Sequence, residues 1–456
     1  MHTFPYSRLV VLLGCLSFSV AGSSFPTAAG AAGMGDAIAQ AMASADQPEK
    51  LSARSADSGA EDKAVAGQLR PEIITILTAA KSFSAEKNWG DALKKLHEAD
   101  VLANKTLYET YVIERTRGSY AIAAGDKAMA AAAFEAVVAT NYLPAADQLT
   151  MIQAIAGTYY QLKNYPKAIS WFSRYQTQGG QDAKAHNLLN QAYFLNDDFA
   201  DAYTGLSADV QATIKAGGVP TLQTLQMLVN CTQKQNDKDG YIAALEQLIN
   251  YYPKKEYWAE LLYRISSRPT FSEHLHLDLY RLQQEVGVID QAGDYVDMAQ
   301  LALRSGLPAE AKKILGQGYA AGVLGTGPNA KKYEALRDTA VKHAADDIKT
   351  MQQGEAGAFK SKDGAGLVNL GMAYVTAGQA DKGVAMMEQG LNKGGLTRLE
   401  EAKLHLGIAI YWAGNKSAAL SQLKTVQGND GSADLARLWM RHISGMTNSV
   451  AGSVVK

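Results

Sequence analysis

The segment at 322–331 is the best candidate for a phosphate-binding loop, because three glycines precede Lys331. A P-loop must end in Gly-Lys-Ser/Thr to hold phosphate and magnesium, and a dinucleotide-binding loop needs a preceding strand and a third glycine in the correct place. The segment satisfies neither pattern. We therefore interpret it as a turn between helical blocks.

His274 and His276 are the best metal-ligand candidates among the eight histidines, and Glu273 and Asp278 flank them. On a helix, residues two apart point to different faces, so these two imidazoles are badly placed to share one ion. An exposed polar helix face is the simpler interpretation. We predict no bound metal and no other cofactor.

Motifs for covalent or metal-assisted catalysis are missing from the sequence, which contains no Cys-x-x-Cys, His-Glu-x-x-His or Gly-x-Ser-x-Gly. Neighbouring acids such as Asp346-Asp347 and Glu400-Glu401 are common on solvated helix faces, and a glycosidase pair depends on tertiary placement. We predict that the protein is not an enzyme. The alternative is an envelope hydrolase whose residues converge only in three dimensions.

The length, charge and hydrophobic pattern of the chain indicate which secondary-structure elements would position any such residues. A chain of 456 residues exceeds what one hydrophobic core usually serves, so several domains or a repeat array are expected. The 44 basic and 45 acidic residues nearly cancel, which argues against non-specific nucleic-acid binding. Apolar residues recur at three- and four-residue spacings, which predicts amphipathic helices and an all-α fold.

The first 20 residues have the pattern of an export signal, with Arg8 followed by an apolar run from Leu9. At about a dozen residues the run is too short to span a bilayer. Small residues permit cleavage after Gly22 or after Ala31, and both sites remain open. The pattern predicts an exported, periplasmic protein.

Leu12-Leu13-Gly14-Cys15 raises the alternative of a lipid-modified Cys15 and a membrane-anchored lipoprotein. Against it, only six residues separate Arg8 from Cys15, and the apolar run continues beyond the cysteine. After ordinary cleavage Cys231 is the only cysteine left, so no intramolecular disulfide can form.

Residues 31–67 form a low-complexity segment without aromatic side chains, which we interpret as a disordered, flexible tether. Ordered structure is expected from Gln68, where Pro71 fits the first turn of a helix. A long amphipathic linker helix is predicted at 329–351, and a domain boundary at 325–328.

One short pattern recurs along the ordered region. Ala156 and Tyr159 are followed by Ala168 and Phe172, and the matching alanine of the next copy, Ala202, lies 34 residues after Ala168. The clearest copies lie near the C-terminus, where Gly371 and Tyr374 precede Gly383, and Gly407 precedes Ala419, 36 residues after Gly383. At 251–293 the match is poor, although two helices are still predicted there.

This period and these residue types resemble the tetratricopeptide repeat, a pair of antiparallel helices with a small, Tyr, Ala, bulky signature. The resemblance covers most of residues 68–446 and implies an exported bacterial α-solenoid of stacked helix pairs. It divides into an N-terminal array at 68–325, a linker helix with C-terminal repeats at 328–446, and a tail at 447–456.

In this family the first helix of each pair lines a concave groove that binds a partner. Carried over to this chain, the face is rich in amides, which suit the backbone of an extended peptide or the hydroxyls of a sugar. A solvated polar surface is the alternative. The resemblance implies these groove residues: Gln153, Tyr160, Lys184, Asn187, Gln191, Phe194, Gln226, Gln233 and Asn236.

The same face of the last two repeats is apolar, so it is expected to receive a partner helix or a C-terminal capping helix at 433–443. The residues concerned are Val368, Met372, Val375, Leu404, Ile408 and Tyr411.

The resemblance implies a non-enzymatic scaffold or adaptor that recruits a protein partner into a cell-envelope assembly. An alternative is a glycan- or peptidoglycan-binding accessory of polymer export. No nucleic acid is expected. Membrane contact is expected only through a lipidated Cys15 or through a partner.

Overall fold

The computed structural model describes residues 68–452, with side chains described to Gly445. Within that range the regular structure is helical and contains no strand, so the predicted all-α fold is confirmed. The export signal, Cys15 and the tether at 31–67 lie outside the described residues. No helix within 68–452 is both long and apolar enough to cross a membrane.

The chain divides into two compact units between Asp237 and Lys238, called unit 1 and unit 2 here. The described part of unit 1 consists of nine α-helices that alternate in direction. Its helices are α1 Pro71–Ala85, α2 Trp89–His97, α3 Leu107–Ala124, α4 Lys127–Ala139, α5 Ala145–Gln161, α6 Tyr165–Thr177, α7 Ala183–Leu195, α8 Phe199–Lys215 and α9 Leu222–Lys234.

Unit 2 contributes eleven α-helices to the described range, and a short 3₁₀ helix, Glu273–Leu275, precedes the third of them. Its helices are α10 Lys238–Tyr251, α11 Lys255–Ser266, α12 His276–Glu285, α13 Ala292–Arg304, α14 Pro308–Ala320, α15 Ala330–Lys360, α16 Ala365–Thr376, α17 Ala380–Lys393, α18 Leu399–Trp412, α19 Lys416–Leu423 and α20 Ser432–Gly452.

Short polar side chains start many of these helices. Thr106 and Glu109 form a reciprocal capping box at the start of α3, and Asn164 accepts a hydrogen bond from the Lys167 amide at 3.3 Å. Gly125, at φ 79°, ends α3 in the left-handed conformation that glycine adopts without strain. Such caps satisfy backbone groups that a helix end leaves open, so adjacent helices are joined by short turns.

The small residues of the repeated pattern lie where two helices of a pair touch. A Cβ atom on Gly371 would lie 2.6 Å from the carbonyl oxygen of Gly383, and one on Gly407 would lie 2.5 Å from Leu423 Cδ2. Ala168 is fully buried in the same way. Larger residues would overpack these contacts, so each of these helix pairs depends on a small residue at the recurring position.

The connection at 321–329 joins α14 to α15 inside unit 2 and does not divide the two compact units, although the sequence predicted a boundary at 325–328. Its glycines adopt positive φ, as a turn requires. Leu324 within it is buried, and a Cβ on Gly318 would lie 2.6 Å from Leu324 Cδ1. That side chain anchors the turn to α14.

The apolar face predicted on the last repeats is buried inside unit 2. Leu404 and Ile408 are fully buried, and Met372 is nearly so. The C-terminal helix α20 contacts α18 and α19, and the rings of Tyr411 and Trp439 lie 5.6 Å apart. Of the two predicted occupants, the chain's own C-terminal helix packs against the α18 part of this face.

Candidate functional site

In unit 1 the first helices of successive pairs contact each other directly, α1 with α3 and α5 with α7. The outward residues of the first helices of unit 1 are together called the first-helix face here. Each first helix contributes four positions to this face, counted from one reference residue. The reference is the small residue of the repeat pattern, or its equivalent: Ala80 in α1, Gly118 in α3, Ala156 in α5 and Asn190 in α7. The four positions lie six and three residues before it and one and four residues after it.

Two hydrogen bonds link α5 to α7 across this face. The Gln153 amide donates to Asp182 Oδ2 at 3.0 Å, and the Tyr160 hydroxyl donates to Gln191 Oε1 at 2.9 Å. Burial raises the pKa of Tyr160 to about 12, so its hydroxyl keeps its proton and remains a donor. Predicted groove residues on different repeats are thus brought together, and their side chains hold each other in place.

Asp182 is also the N-cap of α7, since its carboxylate accepts the backbone N–H groups of Lys184 and Ala185. Burial opposes its charge, but the bond from Gln153 and these backbone donors outweigh burial and lower the pKa of Asp182. The carboxylate is therefore already occupied by this chain.

The part of the face that is open to a ligand is a row along α7. Lys184 and Asn187 are exposed, while Gln191 and Phe194 are half-buried. Spacings of three, four and three residues place all four on one side of the helix. Phe194 packs edge-on against Phe199 at 5.6 Å, so its ring is partly used in packing.

The predicted residues on α9 are less clearly part of this face. Gln233 is exposed and Gln226, seven residues earlier, is half-buried, so both lie on one side of α9. Asn236 lies beyond the end of α9 in a turn, at φ 54°. It therefore belongs to the loop, because α9 ends two residues earlier than the repeat pattern implied.

Sequence reasoning missed Arg115, which lies on α3 three residues before Gly118, as Gln153 lies three before Ala156. Counting from the small residue would have found it. Its guanidinium lies 5.9 Å from the ring centre of Tyr111, which packs with Tyr108 and Tyr142. The charged residues at face positions on α1, α3, α5 and α7 are Lys81, Arg115 and Lys184, so this face is basic.

A second polar cluster, called the junction network here, lies inside unit 2 and was not predicted. Arg281 donates to Glu310 at 2.8 and 2.7 Å and to Asp278 at 2.7 Å. His405 lies 3.0 Å from the other oxygen of Asp278 and 4.0 Å from Glu401. These residues join α12, α14 and α18, and Asp278 and Arg281 are only 1% exposed.

His274 lies at the edge of the same network, with Nδ1 3.0 Å from Glu401 Oε2. Its interpretation as part of an exposed polar helix face is therefore wrong, because residues more than a hundred positions away cover it. His276 instead contacts the Glu273 carbonyl oxygen at 2.7 Å. The two rings face different partners, and the described residues contain no group of three or more His, Cys, Asp or Glu side chains arranged for a metal.

Neighbouring charges outweigh burial in setting the protonation states of Asp278 and His405. Burial would raise the pKa of Asp278, but His405 and Arg281 outweigh it and lower that pKa to about 2. Burial would lower the pKa of His405, yet the Asp278 carboxylate outweighs burial and raises it above the ordinary value of 6.5. Both groups are therefore charged in mildly acidic solution, and the network has the character of a structural ion-pair junction.

We expect the stability of unit 2 to decline on both sides of a mildly acidic optimum. The Asp278 contribution is present above pH 3.8 and is lost as pH falls toward 2. The His405 contribution is present below pH 6.5 and is lost as pH rises through the raised pKa. Thermal unfolding of the full chain across this pH range, followed by tryptophan fluorescence, measures both.

His405→Gln should flatten the decline above pH 6.5, whereas His343→Gln, at an exposed position on α15, should leave it unchanged. An identical pH profile for His405→Gln and the parent chain would contradict the assignment.

No protein-family model and no curated protein sequence matches this chain. Among solved structures, a tetratricopeptide repeat protein from Parabacteroides merdae is similar at 11% identity, covering 75% of this chain and 100% of that one, with a TM-score of 0.24. Yeast Tom70 is similar at 12% identity, covering 84% and 96%, with a TM-score of 0.22. The TPR2AB domain of yeast Sti1, in complex with pHSP90, is similar at 12% identity, covering 65% and 99%, with a TM-score of 0.22. The assignment of the fold rests on the helix pairs and their packing.

Proposed function

We propose that this chain is a non-enzymatic, exported scaffold whose first-helix face in unit 1 binds an extended, acidic segment of a protein partner in a cell-envelope assembly. The observation that carries the proposal is the open row of Lys184, Asn187 and Gln191 on α7. The rest of the proposal follows from the chemistry of that row and its neighbours.

The row offers hydrogen bonds suited to a peptide backbone. Gln191 Oε1 is occupied by the Tyr160 hydroxyl, so the ring of Tyr160 fixes which way the amide points. Its amide nitrogen has no partner among the described residues and remains a donor. Asn187 adds a donor and an acceptor one turn away, at a spacing that an extended chain can follow.

The charge of the face favours an acidic partner. Lys81, Arg115 and Lys184 are the charged residues at its face positions on α1, α3, α5 and α7, while Asp182, the carboxylate beside Lys184, is occupied by Gln153 and α7 amides. Opposite charge on a partner would speed its association and fix its direction along the face.

The location in the proposal comes from the sequence pattern of the first 20 residues, which is that of an export signal. The proposal takes residues 1–22 as a signal, cleaved after Gly22 or as late as Ala31, and residues 31–67 as a tether. Cell fractionation tests the location. If a fatty-acid analogue labels the chain and Cys15→Ser abolishes the label, the chain is anchored as a lipoprotein instead of being free in the periplasm.

Photocrosslinking in the native cell tests the binding face. A photoreactive amino acid at Asn187 should capture a protein partner, whereas the same group at Ala208, exposed on the second helix α8, should not. Lys184→Glu should reduce capture at Asn187 by about tenfold, because it places like charge against an acidic segment. Mass spectrometry identifies the captured segment and its charge.

The matched control is Lys163→Glu, at an exposed turn position beyond the end of α5 and outside the α7 row, which should leave capture unchanged. Adducts from Ala208 alone would show that the wrong face has been assigned. Saturable binding of a purified polysaccharide, without a captured protein, would show that the ligand of this face is a glycan and not a protein.

A further inference from the structure

Helix α15 carries an apolar row that the rest of the described chain leaves open. Its 31 residues pack against α14 and α16 through one side, where Ala340, Ala344 and Met351 are buried. Val341 and Ile348, one heptad apart on another side, are 41% and 54% exposed. Ala345, also exposed, lies between them and completes what is called the α15 seam here.

The charges beside the seam alternate in sign. Asp338, Lys342, Asp346 and Lys349 are all exposed and follow one another along the outer flank of the seam. Within one helix Asp346 lies 3.8 Å from Lys349. Asp338 and Lys349 are eleven residues apart, about 16 Å along the axis, so they cannot meet within one copy.

This arrangement is self-complementary when it is read in the reverse direction. An antiparallel second copy that crosses beside Ala344 places Val341 opposite Ile348, Asp338 opposite Lys349, and Lys342 opposite Asp346. All three pairings require the same crossing point to within one residue. In a parallel two-fold pair the outer flanks of the two copies would lie on opposite sides of the interface, so these charges would not meet.

We propose that the α15 seam is the interface of an antiparallel homodimer of this chain. Apolar contact between Val341 and Ile348 of the two copies holds it together, and the two symmetric Asp338 to Lys349 pairs set its direction and register. Ala345 lies next to the crossing point, where its small side chain lets the two helices approach closely.

The interface is small. The paired segment from Asp338 to Lys349 is about 18 Å long. Contact along so short a stretch of one helix buries less than the roughly 800 Å² per partner of a standard stable interface. The dimer is therefore expected to dissociate on dilution. It is independent of the partner bound by unit 1, and it would give an assembly two first-helix faces.

Sedimentation of the purified protein, expressed as the full 456-residue chain, tests the proposal. We expect a concentration-dependent dimer that Ile348→Glu abolishes. The matched control is Val219→Glu, at a position outside the seam that is 63% exposed, and it should not affect the dimer. Circular dichroism checks that each variant remains helical.

Charge reversal tests direction and register. Lys349→Asp should raise the dimer dissociation constant by about tenfold or more, because it opposes two acids at each end of the seam. Adding Asp338→Lys to it should restore the parent constant to within about threefold. Recovery is expected only if the two residues meet between copies.

Disulfide trapping supplies an independent measurement. In a Cys15→Ser background, Ala345→Cys should form a cross-linked dimer on mild oxidation, since the two-fold axis brings both copies of residue 345 together. Ala335→Cys, exposed on the same helix, should not, and Cys231 is buried. A monomer at every concentration, a failed charge swap, or a seam that binds only a different protein would each overturn the proposal.

Discussion

Replacing Arg281 by methionine should destabilise unit 2 by about 3–5 kcal/mol, the cost of leaving buried charges without their partner. The guanidinium is 1% exposed, and it is held by Glu310 on α14 and by Asp278 on its own helix. Without it, the buried carboxylate of Glu310 has no cation beside it among the described residues, and that of Asp278 keeps only His405. Denaturant unfolding of the full chain measures the loss in the transition that belongs to unit 2.

A second substitution distinguishes lost charge compensation from lost packing. Arg281→Met combined with Glu310→Met should be more stable than Arg281→Met alone, since it removes one of the uncompensated acids. Arg337→Met, which breaks an exposed ion pair on α15, should leave the transition nearly unchanged. Equal stability of the single and double variants would show that the charge of Glu310 is not what makes Arg281 necessary.

Replacing Trp439 by alanine should cost unit 2 about 3–5 kcal/mol, as expected for a large aromatic side chain removed from a packed core. Trp439 is fully buried on α20 and packs against Tyr411 and His442 at 5.6 and 6.1 Å. The effect should appear in the unit 2 transition and leave that of unit 1 unchanged. Fluorescence of Trp89 and Trp171 in unit 1 provides the reference signal.

Leu399→Ala is the matched control in unit 2, because Leu399 is 43% exposed at the start of α18. It should cost less than about 1 kcal/mol. If Trp439→Ala behaved like Leu399→Ala, α20 would be a removable cap and not part of the unit 2 core.

The helix pairs could be predicted from the sequence because their signals are local. Ala156, Ala168 and Phe172 lie within two adjacent helices, and the contacts that need a small residue repeat at a nearly constant spacing. The same register located the exposed row on α7, although it could not show that Gln153 and Tyr160 bond to the next repeat.

The junction network could not be predicted, because its members are distant in sequence and leave no local pattern. Asp278 and His405 are 127 residues apart. The buried charges of this network also explain why residues 251–293 match the repeat signature poorly. Helix α12 buries Asp278 and Arg281, where the signature would require apolar residues, so the helix was recognisable but its partners were not.

The sequence separation of contacting residues differs between the two units, and this difference implies an order of folding. In unit 1 the side-chain bonds between helices join residues at most 39 positions apart, so each pair can dock on the last as the chain emerges. In unit 2, Arg437 and Arg441 on α20 bind Glu246 on α10 across 191 and 195 residues. The charge of Glu246 can therefore be compensated by these arginines only after nearly the whole chain has been synthesised. Unit 2 should fold late and more slowly, and a chain that stops before Ser432 should retain a folded unit 1 beside an incomplete unit 2.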